Sequence, residues 1–408
     1  MSKMLKEIAE QLQASRKKVQ LIYAFNGTGK TRLSREFKQL VAPKDNELDD
    51  GAAAASSSSR DKILYYNAFT EDLFYWDNDL ANDREPKLKI QPNTFIDWVL
   101  REQGDTGIIE NFRRYTHEKL MPLFHEVDVV SGGRKTGGKT YPEVTFSFET
   151  GSGSSGRLKI SKGEERIFVW SIFYTLLDEV TSILSDSDAG TRDDNPFKKL
   201  EYVFIDDPVS SLDDTHLIEL AVDLAYLIKK SHYREGKGLR FIITTHSPLF
   251  YNVLHNELNS DLKNPVQDGT PAWLYKRGQS EKYRLEKQAD GTFELSTSND
   301  HPFSYHLFLL SEVRKAIRNR NVSKYHFAFM RNILEKTATF LGYSNWEELL
   351  KESGEGLQNS SIVRRIHFSS HSAHAGEEIT DIENKDIDQL DALVNYLANT
   401  YGFKNQEA

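Results

Sequence analysis

A glycine-rich turn close to the amino terminus constrains the fold of this chain more than any other feature. An apolar run at residues 19–23 leads into Ala-Phe-Asn-Gly-Thr-Gly-Lys-Thr, and a helical pattern follows. Glycines allow backbone N–H groups to converge on phosphate oxygens, the lysine reaches the β- and γ-phosphates, and the threonine hydroxyl binds Mg²⁺. The order of strand, turn and helix predicts an α/β nucleotide-binding domain whose phosphate loop is formed by Asn26, Gly27, Thr28, Gly29, Lys30 and Thr31.

The composition of this 408-residue chain limits its function classes. There are no cysteines, so disulfides, thiolate metal sites and thiol chemistry are excluded. The net charge of −9 disfavours indiscriminate coating of nucleic acid, although residues 313–336 carry seven Lys or Arg against one Glu, which fits either a solvated helix face or a local basic surface. No signal-peptide block opens the chain, and no apolar run reaches the length of a membrane span, which predicts a cytoplasmic protein.

The patterning of the chain divides it into two parts. Up to about residue 265, apolar strands alternate with helices, which predicts a mixed, largely parallel sheet. Low-complexity inserts are predicted near 43–61 and 131–157. Beyond residue 265, short strand-like pieces lead into four helical segments. We therefore predict an NTPase domain over 1–265 and a mainly α-helical domain over 266–408.

Three further segments carry groups that suit the same nucleotide. One apolar strand ends in Asp206 and Asp207, of which the first would hold Mg²⁺ and the second would polarise the attacking water. Residues 160–165, Ile-Ser-Lys-Gly-Glu-Glu, open a helix whose serine hydroxyl and N-terminal N–H groups suit a phosphate. Another apolar strand ends at His246, which is placed to contact a γ-phosphate.

Taken together, these segments resemble the ATP-binding-cassette (ABC) ATPases. The resemblance implies that residues 160–165 are the signature motif, that residues 210–213, Ser-Ser-Leu-Asp, are the D-loop, and that His246 is the switch histidine. In that family the signature of one subunit caps the nucleotide of another, so two chains form two composite sites. The resemblance adds to the nucleotide-binding residues Ser161, Gly163, Glu164 and Asp213.

Three positions depart from the family pattern. The family usually has Asp-Glu where this chain has Asp206-Asp207. Because Asp207 is one methylene shorter, its reach falls by about 1.5 Å, which predicts slow hydrolysis suited to a switch. Ala24 occupies the position of the first glycine of the phosphate loop, and Asn67 is the nearest candidate for the Q-loop residue.

A second group of candidate residues lies near the carboxyl terminus. Arg331 and Glu335 are four apart in a stretch with helical apolar spacing, which also fits an ordinary surface ion pair. Three histidines follow, His367, His371 and His374, without the interleaved ligands of a metal site. In a metal-free ribonuclease, a carboxylate takes the proton of the 2′-OH of RNA, a histidine protonates the leaving 5′-oxygen, and an arginine stabilises the phosphorane.

The whole chain resembles the PrrC-type bacterial anticodon nucleases, which fuse an ABC-type NTPase head to a tRNA-cleaving domain. The segments that carry the resemblance are VQLIYAFNGTGKTRLSREFKQL, KILYYNAFTEDLFYWDNDL, YVFIDDPVSSLDD, FIITTHSPLFYNVL, FSYHL and the pair RNILEKTATFLGY and SSHS. The family's nuclease triad is an Arg-x-x-x-Glu pair and a later His in a Ser-His-Ser context. These positions match Arg331, Glu335 and His371, whereas His367 and His374 lack the matching context.

The resemblance also implies a substrate and partners. It implies cleavage of a tRNA, expected to be lysine tRNA, in the anticodon loop 5′ to the wobble base, with a 2′,3′-cyclic phosphate and a 5′-OH as products. A type I restriction–modification complex would hold a homodimer or larger assembly latent, and a phage-encoded anti-restriction peptide would release it as an antiviral response. ATP or GTP with Mg²⁺ would drive activation, and dTTP would stabilise the active form. Asp300 and Tyr305 are the candidates for contacts with the anticodon.

Two other functions remain open on the sequence. An ABC-type ATPase of the DNA-repair or chromosome-maintenance kind would be a binding machine without nuclease activity, although residues 31–160 lack the sustained heptads of the coiled coils that such proteins insert. A transporter motor would need coupling to membrane subunits, which nothing in residues 265–408 suggests. Cleavage of tRNA by the purified protein separates these functions.

Overall fold

The computed structural model forms two units, Met1–Pro302 and Phe303–Ala408. The residues it describes are 3–43, 62–67, 73–77, 86–91, 94–102, 104–131, 134–150, 153–154, 157–185, 197–208, 212–234, 236–263, 273–288, 290–298, 303–351, 361–368 and 382–403. Apart from residue 43, the predicted insert at 43–61 lies outside the described residues.

The elements of the N-terminal unit alternate between helices and strands. In chain order they are α1 (Leu5–Ala14), β1 (Val19–Tyr23), α2 (Lys30–Val41), β2 (Ile63–Tyr66), β3 (Phe74–Asp77), β4 (Lys87–Ile90), α3 (Thr94–Glu102), α4 (Thr106–Tyr115), β5 (Leu120–Ser131), β6 (Arg134–Thr150), β7 (Gly153–Ser154), α5 (Lys162–Ser185), β8 (Tyr202–Asp206), α6 (Asp214–Lys230), β9 (Tyr233–Arg234), β10 (Lys237–Gly238), β11 (Arg240–Thr245), α7 (Pro248–Leu258), β12 (Leu262–Lys263), β13 (Trp273–Tyr275), β14 (Ser280–Lys287) and β15 (Phe293–Thr297).

Six strands form the central sheet of this unit, in the order β15-β14-β1-β11-β8-β2. β1 has parallel neighbours on both sides, β14 and β11, and parallel pairing continues through β8 to β2, whereas β15 runs antiparallel to β14. Every residue of β1 and β8 is buried, which explains why both are nearly continuous apolar runs. The predicted α/β fold with a mixed, largely parallel sheet is confirmed.

The carboxyl ends of β1, β8 and β11 lie at one edge of this sheet because the three strands are parallel and adjacent. The register pairs Tyr23 with Thr245 and Thr244 with Asp206. This edge therefore brings together the phosphate loop, the carboxylate pair after β8 and the histidine after β11.

Strands β3, β4, β6 and β5 form a second sheet, which is antiparallel, and β7 pairs with the end of β6. Residues 134–150 fall inside the insert predicted at 131–157 but form β6 instead. Val144 and Phe146 of this strand are buried, and the ring of Phe146 contacts Phe168 of α5 with centroids 5.1 Å apart. The prediction of an insert is wrong for these residues. Gly137, Gly138 and Lys139 resemble a loop sequence, but they lie in the outer part of the hairpin that β5 and β6 form.

Helix α5 runs through the core of the N-terminal unit. The rings of Trp170 and Phe173 contact Tyr66 of β2 with centroids 5.3 and 4.8 Å apart. Its length and its mean hydropathy of 1.5 would suffice for a membrane span, but 67% of its most apolar 18-residue window is buried inside the protein, as in a core helix. Asp178 and Glu179 interrupt the apolar run of α5, so the prediction that no apolar run reaches the length of a membrane span is not contradicted.

The boundary between the units falls after Pro302, later than the predicted limit at 265/266. The physical reason is that β14 pairs with β1 along five residues and β15 pairs with β14, so this hairpin completes the central sheet. The change of pattern beyond residue 265 thus marks the hairpin and not the end of the domain.

The C-terminal unit is mainly α-helical. Its helices are α8 (Tyr305–Arg318), α9 (Lys324–Leu341), α10 (Ser361–Phe368) and α11 (Asn384–Tyr401), with a 3₁₀ turn at Trp346–Leu350. Buried side chains from all four helices and the turn form one core, including Leu310, Met330, Leu349, Ile366 and Leu390. Gly342, with φ of +82°, ends α9, and the N–H of Tyr343 bonds to the carbonyl oxygen of Ala338 at 2.9 Å.

Lys18 is fully buried at the start of β1. Its side-chain nitrogen donates hydrogen bonds to the carbonyl oxygens of Lys229, in the last turn of α6, at 3.0 Å and of Ser231, just after that helix, at 2.7 Å. It also lies 5.7 Å from the centre of the Tyr275 ring. Burial lowers the pKa of this lysine to about 7.

We expect the wild type to gain stability relative to Lys18→Met as the pH rises from 7 to 9. In this range Lys18 is largely neutral in the folded protein, whereas in the unfolded chain, where a lysine has a pKa of about 10.4, it is protonated. Unfolding therefore takes up a proton, so it becomes less favourable as the pH rises. The difference in unfolding free energy between the two proteins should move by about 2 kcal/mol in favour of the wild type, measured from urea midpoints. Parallel pH profiles would contradict this expectation.

Candidate functional site

The phosphate loop joins β1 to α2 at the carboxyl edge of the central sheet. Gly27 and Gly29 have φ of +79° and +107°, backbone angles that residues with a side chain rarely adopt. Gly29 also caps the amino end of α2. A Cβ on Gly29 would also lie 3.4 Å from the ring of Phe293. Ala24, by contrast, does not have a positive φ, and its N–H bonds to the carbonyl oxygen of Thr245 at 3.0 Å. Alanine is therefore accommodated at the position of the first glycine.

Lys30 is buried within this loop. Its ammonium lies 3.2 Å from the carbonyl oxygen of Ala24, 3.4 Å from that of Phe25 and 3.3 Å from the side-chain oxygen of Asn26. It also lies 3.4 Å from a carboxylate oxygen of Asp207. A phosphate at the amino end of α2 would meet both this charge and the N–H groups of the first helical turn.

Thr31 and Asp206 provide the oxygen ligands expected for magnesium. The Thr31 hydroxyl donates to one carboxylate oxygen of Asp206 at 2.8 Å, and the Thr244 hydroxyl donates to the other at 2.5 Å. Burial raises the pKa of Asp206 despite these two hydrogen bonds. A divalent cation would offset the cost of burying this carboxylate, so the donor set fits Mg²⁺ held beside a triphosphate.

Asp207 and His246 form a second pair beside Lys30. Nδ1 of His246 lies 2.7 and 2.6 Å from the two carboxylate oxygens of Asp207, and the His246 N–H donates to the same carboxylate at 3.2 Å. Burial alone would raise the pKa of Asp207, but the His246 hydrogen bond and the Lys30 charge outweigh it and hold that pKa below its usual range. Asp207 also has φ of +54°, which is uncommon outside glycine and aims its carboxylate at these partners.

Sequence reasoning missed several side chains that support the site. Thr244 and Thr245 each donate to one of the two carboxylates, and their only sequence signal is a pair of hydroxyl residues at the end of an apolar strand. The hydroxyl of Tyr65 in β2 hydrogen-bonds to Ser34 of α2. Asn67, the candidate for the Q-loop position, is buried and also hydrogen-bonds to Tyr65.

Ser161 and Glu164, from the predicted signature motif, cap the start of α5. The N–H of Ser161 donates to the carboxylate of Glu164 at 2.7 Å, and the N–H of Glu164 donates to the Ser161 hydroxyl at 3.2 Å. Ser161 is exposed, and a Cβ on Gly163 would meet nothing closer than the Ser161 hydroxyl at 4.0 Å. This helix end is therefore open to an approaching phosphate.

A tryptophan of β3 is tied to the same helix end. Nε1 of Trp76 donates to the carboxylate of Glu165 at 2.8 Å, and the ammonium of Lys162 pairs with the same carboxylate at 2.8 Å. The segment FYWD, which carries the family resemblance, thus supports the signature helix, a connection that spacing along the sequence does not reveal.

Asp213, from the predicted D-loop, caps α6. Its carboxylate accepts the N–H of His216 at 3.0 Å and lies 2.6 Å from the ring nitrogen of that histidine, while 62% of the Asp213 side chain is exposed. Ser210 and Ser211 of the same motif lie outside the described residues.

Arg331 and Glu335 lie side by side on α9. Nε of Arg331 donates to the Glu335 carboxylate at 2.7 Å, and another guanidinium nitrogen donates to the carbonyl oxygen of His367 at 3.2 Å. The His367 ring pairs with Glu347 at 2.9 Å and contacts Trp346 with centroids 4.8 Å apart. The arginine therefore joins the predicted Arg–Glu pair to α10, the helix that precedes the His371 segment in the chain.

Of the other residues predicted to act on the RNA, the structure describes Tyr305. Tyr305 is half-buried at the start of α8, where it packs against the unit's core. Beside it, His306 lies 3.0 Å from the Asn332 side chain of α9. Asp300, His371 and His374 lie outside the described residues.

Comparison with known proteins agrees with this arrangement. A family model described as an AAA domain matches residues 144–397, more than half of the chain. A solved structure, the crystal structure of the SmcHead bound to the C-winged helix domain of ScpA, aligns with 70% of this chain and 90% of its own at 12% identity and a TM-score of 0.32, too low to carry an argument.

A curated protein of Escherichia coli, named anticodon nuclease, is 46% identical over 433 residues, which cover 100% of this chain and 99% of that protein. Because the match covers the whole chain, it runs through both units. The chain therefore belongs to the family of PrrC-type anticodon nucleases.

Proposed function

We propose that this chain is an NTP-gated endoribonuclease that cleaves a tRNA in its anticodon loop, with Arg331, Glu335 and His371 as the nuclease residues. The observation that carries the proposal is the contact of Arg331 with both Glu335 and the backbone of His367. His371 is four positions beyond His367 in the chain, so the covalent chain keeps their Cα atoms within about 14 Å. This proximity supports the proposal that His371 acts on the same phosphodiester as Arg331 and Glu335.

The proposed reaction is a transesterification that uses the RNA's own nucleophile. Glu335 accepts the proton of the 2′-OH, and the 2′-oxygen attacks the adjacent phosphorus. The bond from phosphorus to the 5′-oxygen breaks as protonated His371 gives its proton to that oxygen, while Arg331 stabilises the charge of the phosphorane. The products are a 2′,3′-cyclic phosphate and a 5′-OH, so no external water is consumed in the first step.

The N-terminal unit would supply the gate. Lys30, Thr31 and Asp206 would hold a nucleoside triphosphate and its Mg²⁺. The nucleotide would supply the γ-phosphate that is hydrolysed, and Mg²⁺ would neutralise the charge of its phosphates. Asp207 and His246 would orient the attacking water. The exposed Ser161–Glu164 cap and the exposed Asp213 would belong to a second subunit's site in a homodimer, as ABC-type signature and D-loop residues do. Whether ATP or GTP is used, and whether dTTP stabilises the active form, are parts of this proposal that nucleotide competition would resolve.

The biological setting follows from the family. We propose lysine tRNA as the target, cleavage 5′ to the wobble base, and a cytoplasmic enzyme held latent by a type I restriction–modification complex until a phage-encoded anti-restriction peptide appears. Asp300 and Tyr305 are the proposed anticodon contacts. The released nuclease would stop translation in the infected cell.

Purified protein mixed with bulk tRNA, Mg²⁺ and ATP or GTP is expected to give one discrete cut in an anticodon loop. Sequencing of the fragments identifies the tRNA and the position, and phosphatase-resistant 3′ ends that become sensitive after acid treatment identify the cyclic phosphate. Intact tRNA in a sample that hydrolyses NTP would instead favour the ATPase without nuclease activity. EDTA added after activation separates gating from cleavage: NTP hydrolysis should stop while tRNA bound to the activated nuclease is still cut, because the proposed RNA chemistry itself needs no metal.

A further inference from the structure

A cluster of exposed hydrophobic side chains lies at the carboxyl end of α9. Among the described residues of the C-terminal unit, the large hydrophobic side chains that are exposed are those of Tyr325, Phe340, Leu341 and Tyr343. Three of these fall within four consecutive positions, and Phe340 is 87% exposed. Single exposed hydrophobic residues are ordinary, but a contiguous group of this kind marks an interaction site.

The cluster continues the row of side chains beside the Arg331–Glu335 pair. Residues four apart on a helix are neighbours, with Cβ atoms about 5–6 Å apart, so two adjacent rows run along the exposed side of α9. The first row is Arg331, Glu335 and Thr339, and the second is Asn332, Lys336 and Phe340. Phe340 lies five residues beyond Glu335, about 7.5 Å along the helix axis and about 140° around it, so a ligand that contacts both must cross the exposed side of α9 past Lys336.

The cation in the second row distinguishes this cluster from a purely apolar surface. Lys336 is exposed one turn before Phe340. Lys336 lies one helical turn after Asn332, whose side chain is 3.0 Å from the His306 imidazole, and its charge adds to the lowering of the His306 pKa that burial causes. A cation followed by exposed rings suits a ligand in which a phosphate is followed by flat bases.

We propose that Phe340 and Tyr343 form a stacking platform for unpaired RNA bases next to the phosphodiester at Arg331 and Glu335. This inference rests on the proposed nuclease function and adds to it the residues that bind the neighbouring nucleotides. Lys336 contacts the phosphate between the cleaved linkage and the first stacked base. The Schellman turn at Gly342 fixes Tyr343 relative to the end of α9, so the platform is rigid before RNA arrives.

The test uses the full-length protein and the tRNA that the wild type cuts. Phe340→Ala and Tyr343→Ala should each raise KM for that tRNA by about 5–100-fold with a smaller change in kcat and unchanged NTP turnover, because stacking on a ring is lost. Phe340→Leu keeps the apolar bulk without the aromatic face and should behave like Phe340→Ala, whereas Phe340→Trp should retain KM within about threefold. Tyr226→Ala, which removes an exposed aromatic side chain from α6, is the matched control.

Three outcomes would overturn the platform. The first is wild-type KM in Phe340→Leu, which would show that apolar bulk suffices and that no base stacks on the ring. The second is a loss of self-association in Phe340→Ala, seen by sedimentation, with KM unchanged, which would assign the cluster to a second copy of the chain. The third is unchanged KM in both alanine variants while the wild type still cuts. Absence of cutting by the wild type would refute the proposed nuclease function instead.

Discussion

Replacing His371 with alanine is expected to slow tRNA cleavage by about 10²–10⁴-fold while NTP turnover stays within about threefold of the wild type. The physical reason is the leaving group. Without a general acid, the 5′-oxygen must depart as an alkoxide, whereas the groups that hold the nucleotide belong to the N-terminal unit and keep their contacts. Single-turnover cleavage of end-labelled tRNA and phosphate release, measured on the same preparation, give the two rates.

The leaving group also provides a control specific to general acid catalysis. In a substrate whose scissile 5′-oxygen is replaced by sulfur, the leaving group departs as a thiolate. A thiolate needs no proton because a thiol has a pKa of about 8.5. His371→Ala should cut this substrate at nearly the wild-type rate, but Glu335→Gln, which lacks the base, should not. His374→Ala tests a histidine of the same segment and should leave both rates within a few-fold. Equal loss of cleavage and NTP turnover in His371→Ala would assign that residue a structural role.

The parts of the fold that the sequence predicted are those whose signal is local. The phosphate loop could be recognised because glycines, a lysine and a threonine occupy consecutive positions after a buried strand. The edge that gathers Asp206, Asp207 and His246 followed from the parallel order of their strands. At Ala24 the pattern had raised a doubt that the structure removes, because φ at this position is not positive.

The parts that could not be predicted depend on contacts between distant segments. β14 joins the central sheet beside β1, more than 250 residues earlier in the chain, so its membership could not be inferred from its own alternation. The outer half of β6 was missed because it is rich in glycine and lysine, whereas the alternation at 144–150 indicates a strand. The hydrogen bond from Trp76 of β3 to Glu165 of α5 joins two residues that are 89 positions apart in the chain. Helix and strand periodicities relate only residues a few positions apart, so they could not predict this contact.

Lys30→Ala is expected to lower NTP turnover by about 10²–10³-fold and to reduce tRNA cleavage to the level seen without nucleotide. The ammonium is the buried cation of the phosphate loop, 3.4 Å from Asp207, and its loss removes the charge that a β- or γ-phosphate would meet. Nucleotide affinity, measured by equilibrium binding of a fluorescent ATP or GTP analogue, should fall in parallel, while the unfolding midpoint shows whether the loop still folds.

Arg32→Ala is the matched control because it removes a neighbouring cation that is exposed on the same helix, so a general loss of positive charge can be separated from loss of the loop lysine. It should keep nucleotide affinity and cleavage within about threefold. Undiminished tRNA cleavage by a folded Lys30→Ala protein in the absence of nucleotide would refute gating and leave the nuclease unit independent of the head. Cleavage that is lost in Lys30→Ala but restored by raising the nucleotide concentration would instead place the effect on binding alone, whereas we expect the loss of turnover to persist at saturating nucleotide because the Lys30 charge lies within the phosphate loop beside Asp207.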